Sequence, residues 1–175
     1  MKDENLIGYA KEATDFLGNH SKYDCMGCSM TKGEIVPPGG FVYETEYFLV
    51  GQDPEIPIEG FLVINSKRHV NSLTQLSDIE RHQLVELLNI GISAIKSLKI
   101  TTEVTLVQEE RSKHFHVWIF PNQPWMLKKF GKGVSYLRDI SAYAQENSNK
   151  EGISNILNSI EKIRKYYNEH FKWNI

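Results

Sequence analysis

His114-Phe115-His116-Val117-Trp118-Ile119-Phe120-Pro121 is the stretch on which the reading of this chain turns. A strand repeats every two residues, so His114, His116, Trp118 and Phe120 fall on one face. Phe115, Val117 and Ile119 fall on the other, which reads as a core face. A single histidine on a strand is usually a satisfied, half-buried residue. Two on one face, roughly 7 Å apart by strand rise, more often share a ligand or an active site.

The surrounding chain supplies partners for that strand. Val104 to Val107 reads as a second strand, joined to it by a hairpin through Gln108 to Lys113. Phe41 to Glu44 and Tyr47 to Val50 read as two more, with Thr45-Glu46 as their turn. Phe61 to Ile64 is a short buried run after Pro54 and Pro57. Ser77 with Glu80 three residues on fits a capping box. Leu84, Leu87, Leu88, Gly91, Ile95 and Leu98 then follow at helical spacing. Gly91 within that stripe implies close approach of another element. Two helical stretches follow Pro124, one around residues 134 to 146 and one carrying Ile153, Ile156, Leu157, Ile160, Ile163 and Tyr167. Asn147 to Gly152 reads as a polar, mobile link between them. The Gly- and Pro-rich segment from Gly27 to Gly40 reads as a loop. Leu6, Ile7, Ala10, Ala13, Phe16 and Leu17 read as an amphipathic helix over residues 3 to 17. Strand pairs joined by short turns favour a mainly antiparallel α+β domain over a doubly wound sheet.

Composition narrows the function. The chain has 175 residues, 20 Lys and Arg against 22 Asp and Glu, and a net charge of −2. That excludes a strongly basic binder of polymeric nucleic acid, although not a small anionic ligand held by a few local groups. Mean hydropathy is −0.38, and no apolar run reaches the roughly 18 residues of a membrane span. The opening Met1-Lys2-Asp3-Glu4-Asn5 lacks the apolar core of a secretory signal, so a cytoplasmic protein is expected. Two cysteines cannot form a disulfide framework; as Cys25-Met26-Gly27-Cys28 they read as metal binding or redox chemistry.

The stretch from His114 to Phe120 resembles the signature of the histidine triad, or HIT, family, in which three histidines alternate with apolar residues. Trp118 stands where the third histidine would be. Cys25-x-x-Cys28 resembles the zinc-binding pair near the start of many bacterial members, and Val42-Tyr43-Glu44 resembles their first strand. Asp53, Gly60 and Lys67-Arg68-His69 follow in family order, so the resemblance covers about residues 25 to 121. It implies a HIT-like core over 25–121, with an N-terminal helical segment over 1–24. Residues 122–175 would form a C-terminal helical extension of the same domain. The implied fold is an antiparallel sheet flanked by helices, and the implied assembly is a homodimer.

The resemblance also implies a chemistry. It makes His116 the nucleophile toward an α-phosphate, giving a nucleotidyl-histidine that water hydrolyses. His114 would orient His116 or hold zinc. Cys25, Cys28, His69 and His114 would be the four zinc ligands, in a structural site. Asp53 matches the acid that accepts from ribose hydroxyls; as a plain residue it reads equally as a turn former before Pro54. Arg111 or Ser112 would touch phosphate, while Lys113 reads as a solvated loop residue. Trp118 offers only an indole N–H, so any proton given by the third histidine is lost or altered; its ring suits a pocket wall or a stacked base. Phe61 departs in the same way, standing where a histidine follows Gly60. The expected substrate is a small nucleotide with a phosphoanhydride or phosphoramidate, such as diadenosine tetraphosphate. Two alternatives stay open: a nucleotidyltransferase or phosphorylase using the same histidine, and a nucleotide-binding module without turnover. His20, His82 and His170 have no partner pattern and read as surface residues.

Overall fold

The computed structural model describes residues 11–131 and 133–172. Five strands form one antiparallel sheet: β3 (Tyr43–Glu44), β4 (Phe48–Gln52), β5 (Leu62–Ser66), β6 (Val104–Val107) and β7 (His116–Pro121). Their order is β3-β4-β5-β7-β6. The central strands carry apolar residues on both faces, which is why they sit in the middle. The register sets Asn65 opposite His116, and Val63 and Val107 opposite Trp118. The turn between β3 and β4 lacks Asn-Gly chemistry. Thr45 supplies it instead, its hydroxyl accepting from the amides of Tyr47 and Phe48 at 3.3 and 3.0 Å.

One sheet face is closed by α2 (Asp78–Ser97) and α5 (Lys150–His170). Phe48, Val50, Leu62, Ile64, Val117 and Ile119 meet Leu84, Leu87, Ile95, Ile156, Ile160, Ile163 and Tyr167 there. Each such side chain taken fully out of water stabilises the fold by about 1.5–3 kcal/mol. The capping box expected at Ser77 is present: the Glu80 amide donates to the Ser77 hydroxyl, and the Ser77 amide donates to the Glu80 carboxylate. Lys99, with φ 58°, turns the chain out of α2 in a left-handed conformation. Gly91 is the close approach its sequence implied. A Cβ there would lie 2.6 Å from the Tyr167 hydroxyl and 2.8 Å from Ile119. That hydroxyl donates to the Leu87 carbonyl at 2.7 Å, binding α5 to α2.

The other face is covered only at its ends. At one end α3 (Pro124–Phe130) and α4 (Leu137–Glu146) pack Met126, Leu137, Ile140 and Ala144 on Phe61, Val63 and Phe120. At the other end α1 (Met26–Thr31) and Ile35 pack on Leu49 through Met30. The gap between these ends leaves the start of β7, with His116, partly open.

The mixed α+β class and the antiparallel pairing are as the sequence implied. Four local expectations are corrected. Lys11–Thr14 and His20–Tyr23 are strands β1 and β2 of a two-stranded hairpin, not part of a helix over 3–17 or of a helical segment over 1–24. The portion of that helix before residue 11 lies outside the described residues. The loop expected from Gly27 to Gly40 begins with the single-turn helix α1. Three α-helices rather than two stand from Pro124 onward, because Pro124 itself starts α3 at the first helical position. Of the mobile link over 147–152, only three residues lie between helices. Asn149 caps α5 by accepting from the Gly152 amide at 2.8 Å. Among the described residues, no helix is long and apolar enough to cross a membrane.

Candidate functional site

Cys25 is the N-cap of α1 and Cys28 lies one turn on, so both thiols leave the same side of the helix. His69 comes from the loop after β5 and His114 from the residues leading into β7. One ligand atom from each lies within 4.8 Å of all the others. The Cys25 sulfur is 3.6 Å from His69 Nδ1 and 3.2 Å from His114 Nδ1. The Cys28 sulfur is 3.1 and 3.7 Å from the same two atoms. The two Nδ1 atoms are 3.3 Å apart. A tetrahedral ion bound by thiolate at about 2.3 Å and imidazole at about 2.05 Å needs N–N edges of about 3.3 Å and N–S edges of about 3.6 Å. The N–N distance matches and the N–S distances span 3.1 to 3.7 Å, so the four residues could hold a four-coordinate divalent metal after shifts of a few tenths of an ångström.

The supports of this group are specific. His114 is buried, and its Nε2–H donates to the Ser66 carbonyl at 2.7 Å, which turns the Nδ1 lone pair toward the sulfurs. Burial holds His114 below the usual imidazole range against the pull of that carbonyl, and charge on His69 or His116 pushes the same way. A neutral ring is the form a metal needs. Gly27 makes room for the ring: a Cβ there would lie 2.3 Å from His114 Cδ2. The loop bearing His69 is pinned by Arg68, whose guanidinium bonds both carboxylate oxygens of Glu80 at 3.1 and 2.7 Å. That pair holds the buried Glu80 carboxyl down at about 2.

His116 stands next to this centre. Its Nδ1 lies 3.0 Å from the His114 carbonyl. A carbonyl only accepts, so Nδ1 carries the proton and Nε2 keeps its lone pair. His116 lines a cavity of about 780 Å³ between α1 and the α3–α4 end of the sheet. Val63 and Asn65 of β5 and His116 and Trp118 of β7 form its floor, with Cys25, Met26, His69 and His114 on one side and Asp53 to Glu55 on another. Asp53 is buried, and Oδ1 accepts from the Glu55 and Ile56 amides at 3.0 and 2.9 Å. Burial outweighs those bonds and pushes its carboxyl up to about 7. Asp53 is thus both a turn former and a cavity group.

The cavity gathers His114, His116, Asp53, Ser112 and Trp118, and the metal group borders it. Arg111 lies apart from them. It is not among the cavity-lining residues, its side chain is 80% exposed, and it pairs with Glu109 at 3.3 Å. Ser112 faces the cavity with its hydroxyl within 2.8 Å of the Glu109 and His114 carbonyls, so it braces the hairpin. Lys113 is an exposed loop residue, as expected, and also lines the cavity. Its φ of 63° is that of the left-handed cap that ends the Glu110–Ser112 turn. Lys11 and Tyr23 of the β1–β2 hairpin also line the cavity, from a segment with no motif. The two departures from the family pattern are one packing event: Phe61 meets Trp118 edge to face, ring centres 5.2 Å apart. His20, His82 and His170 are exposed, as expected.

No family model and no curated protein matches the chain. Solved structures do match in fold. A hypothetical histidine triad nucleotide-binding protein of Sulfolobus tokodaii is 21% identical, with a TM-score of 0.58 over 86% of this chain and 100% of that one. A Zn-bound histidine triad family protein of Mycobacterium smegmatis is 14% identical, with a TM-score of 0.53 over 81% of this chain and 96% of that one. A member of the HIT family of proteins from Bacillus subtilis is 22% identical, with a TM-score of 0.53 over 79% of this chain and 95% of that one. The chain therefore has the histidine triad fold.

Proposed function

We propose that this protein is a nucleotide hydrolase of the histidine triad type, with His116 as the nucleophile and zinc held by Cys25, Cys28, His69 and His114. The observation that carries the reading is the hydrogen bond from His116 Nδ1–H to the His114 carbonyl, which leaves Nε2 as a free base in the cavity. In the reaction, Nε2 bonds to the α-phosphorus and the bond from phosphorus to the leaving group breaks. Water then bonds to phosphorus, the P–N bond breaks, its electron pair returns to Nε2, and the water proton passes to solvent. Asp53, in its ionised form, accepts from the ribose hydroxyls, and the Trp118 ring lies against the base. Ser112 holds the hairpin that carries the motif.

Bound zinc would supply a closed structural clamp that fixes His114 and so the carbonyl that orients His116. The donor set supports zinc, since two thiolates neutralise its charge and four ligands leave no open position. Cys25 and Cys28 are free thiols, the form in which a reducing cytoplasm keeps them. The homodimer implied by the resemblance completes the proposal, and analytical ultracentrifugation reads it directly.

Trp118 favours a second reading at the acceptor step. It brings no titratable proton to the face beside His116, so the covalent nucleotide can persist long enough to pass to phosphate or another acceptor. Intact-protein mass spectrometry after brief exposure to diadenosine tetraphosphate, with chromatography of the products, tests both. An adenylyl increment or free mononucleotide in the parent and neither in His116→Ala is the expected result. Turnover that survives His116→Ala would sink the covalent mechanism.

A further inference from the structure

The loop before β5, helices α3 and α4 and the first turns of α5 border a second cavity, of about 300 Å³. It shares no lining residue with the histidine cavity. We propose that it binds a small quaternary ammonium cation of the choline class, with Trp125 and Tyr143 as aromatic walls and Glu59 as the counter-charge. The proposal depends neither on His116 nor on a metal.

Three observations carry it. The first is an aromatic cluster. Trp125, Phe130 and Tyr143 are mutually adjacent, with ring centres 5.7 to 6.4 Å apart. Trp125 and Tyr143, tilted by 42° to each other, both line the cavity. The cluster already seats one cation: Lys129 Nζ lies 4.4 Å from the centre of the Tyr143 ring and 5.9 Å from that of Phe130. Lys129 itself does not line the cavity. Ring faces attract cations through their quadrupole, and quaternary ammonium groups are the ligands that use this most. The second observation is charge. Among the residues that line the cavity, Glu59 carries the only formal charge. It is half-buried and has no ion pair among the described residues. The buried Ser159 hydroxyl donates to its Oε1 and so fixes the carboxylate. The third is that most other polar groups there are already committed. The Trp125 indole N–H donates to Gln123 Oε1 at 2.7 Å, and Gln123 Nε2 donates to the Glu59 carbonyl at 3.2 Å. Asn147, Ser148 and Asn149 bond backbone groups of α4 and α5. These bonds set the walls and the carboxylate before a ligand arrives, which lowers the ordering cost of binding. They also leave few groups to read the hydroxyls of a sugar, the other ligand an aromatic wall suits. A primary ammonium or guanidinium needs acceptors for its N–H donors. A quaternary ammonium has no N–H; its methyl groups pack on the rings while its charge faces Glu59.

The test is calorimetric titration of the full chain with choline, with its neutral tert-butyl analogue, in which carbon replaces nitrogen, and with glucose. Choline should bind with a Kd of about 1 mM or tighter, and the neutral analogue about tenfold or more weakly. No binding at about 10 mM choline, equal affinity for the neutral analogue, or glucose bound in place of choline would overturn the proposal. Variants then locate the ligand. Tyr143→Phe keeps the ring face and should bind choline within about twofold of the parent, whereas Tyr143→Leu and Glu59→Gln should each weaken it about fivefold. Glu59→Gln keeps an acceptor for Ser159, and the parent's choice between choline and its neutral analogue decides the case even if Tyr143→Leu fails to fold. Unchanged binding in both Tyr143→Leu and Glu59→Gln overturns the assignment. His116→Ala should bind choline as the parent does; a loss there would place the cation in the histidine cavity and overturn it too.

Discussion

Gly27→Ala is the sharpest perturbation of the proposed metal centre, because it leaves Cys25, Cys28, His69 and His114 all in place. A Cβ at Gly27 would lie 2.3 Å from His114 Cδ2, 2.5 Å from Nε2 and 2.6 Å from Cγ, where ordinary contact begins at 3.4 Å. The ring has to move by roughly 1 Å, or α1 has to lift by as much. If the ring moves, the Nε2 bond to the Ser66 carbonyl, now 2.7 Å, stretches beyond hydrogen-bond reach. Overpacking of this size costs about 1–3 kcal/mol, and orphaning a buried polar group costs about 1–3 kcal/mol more. If α1 lifts, the two sulfurs leave the tetrahedron. Either route should lower zinc affinity by about 10–100-fold, measured by competition with a chromogenic chelator. A net loss of about 3 kcal/mol should lower the melting temperature by about 6–12 °C for a chain of this length. Gly152→Ala is the control. Its Cβ would meet nothing closer than 3.5 Å, and it lies within α5, so no loss is expected. A Gly27→Ala protein that binds zinc as tightly as its parent and melts within about 1 °C of it would refute the reasoning.

Asp53 gives a pH prediction. Its folded carboxyl is pushed up to about 7 by burial, so between about pH 4 and 7 the folded state holds more protons than the unfolded one and stability falls as pH rises. Asp53→Asn keeps an oxygen for the two amides and should flatten that fall, raising the melting temperature at pH 8 but not at pH 4; an unchanged pH profile would count against the burial argument. At the α2–α5 contact, Gly91→Ala should destabilise by about 1–3 kcal/mol through the Tyr167 hydroxyl and Ile119. Adding Tyr167→Phe removes one of those atoms, so in a urea-melt cycle the double variant should lose less than the sum of the singles; strict additivity would refute the contact.

The sequence was most legible where one period ran uninterrupted. The alternation from His114 to Phe120 gives β7 and both of its faces, and Ser77, Glu80 and the leucine stripe give α2 with its start. The N-terminal hairpin was hidden because Leu6, Ala10, Ala13 and Leu17 happen to fit a helical period. Asp15 carried the opposing signal. Its carboxylate accepts from the Leu17 and Asn19 amides and closes the turn with Gly18 left-handed. At the site, the grouping of Cys25, Cys28, His69 and His114 was legible through resemblance, whereas its support was not. Nothing local to Gly27 announces an imidazole 87 positions away pressing on it. Arg111 and Lys113 show the limit most plainly: both are cations in one hairpin, and nothing in their sequence tells that Lys113 lines the cavity while Arg111 does not.

The way α5 closes the sheet has a consequence during synthesis. Ile156, Ile160, Ile163 and Tyr167 complete an apolar layer whose other members are all in place by residue 119. At ~5–20 residues per second a ribosome spends roughly 2–9 s between those points. Through that interval the sheet emerges with one side bare of its final cover. Until α5 is made, α2 alone covers that side, and a chain stopped before residue 150 would leave the apolar surface that α5 buries open to water.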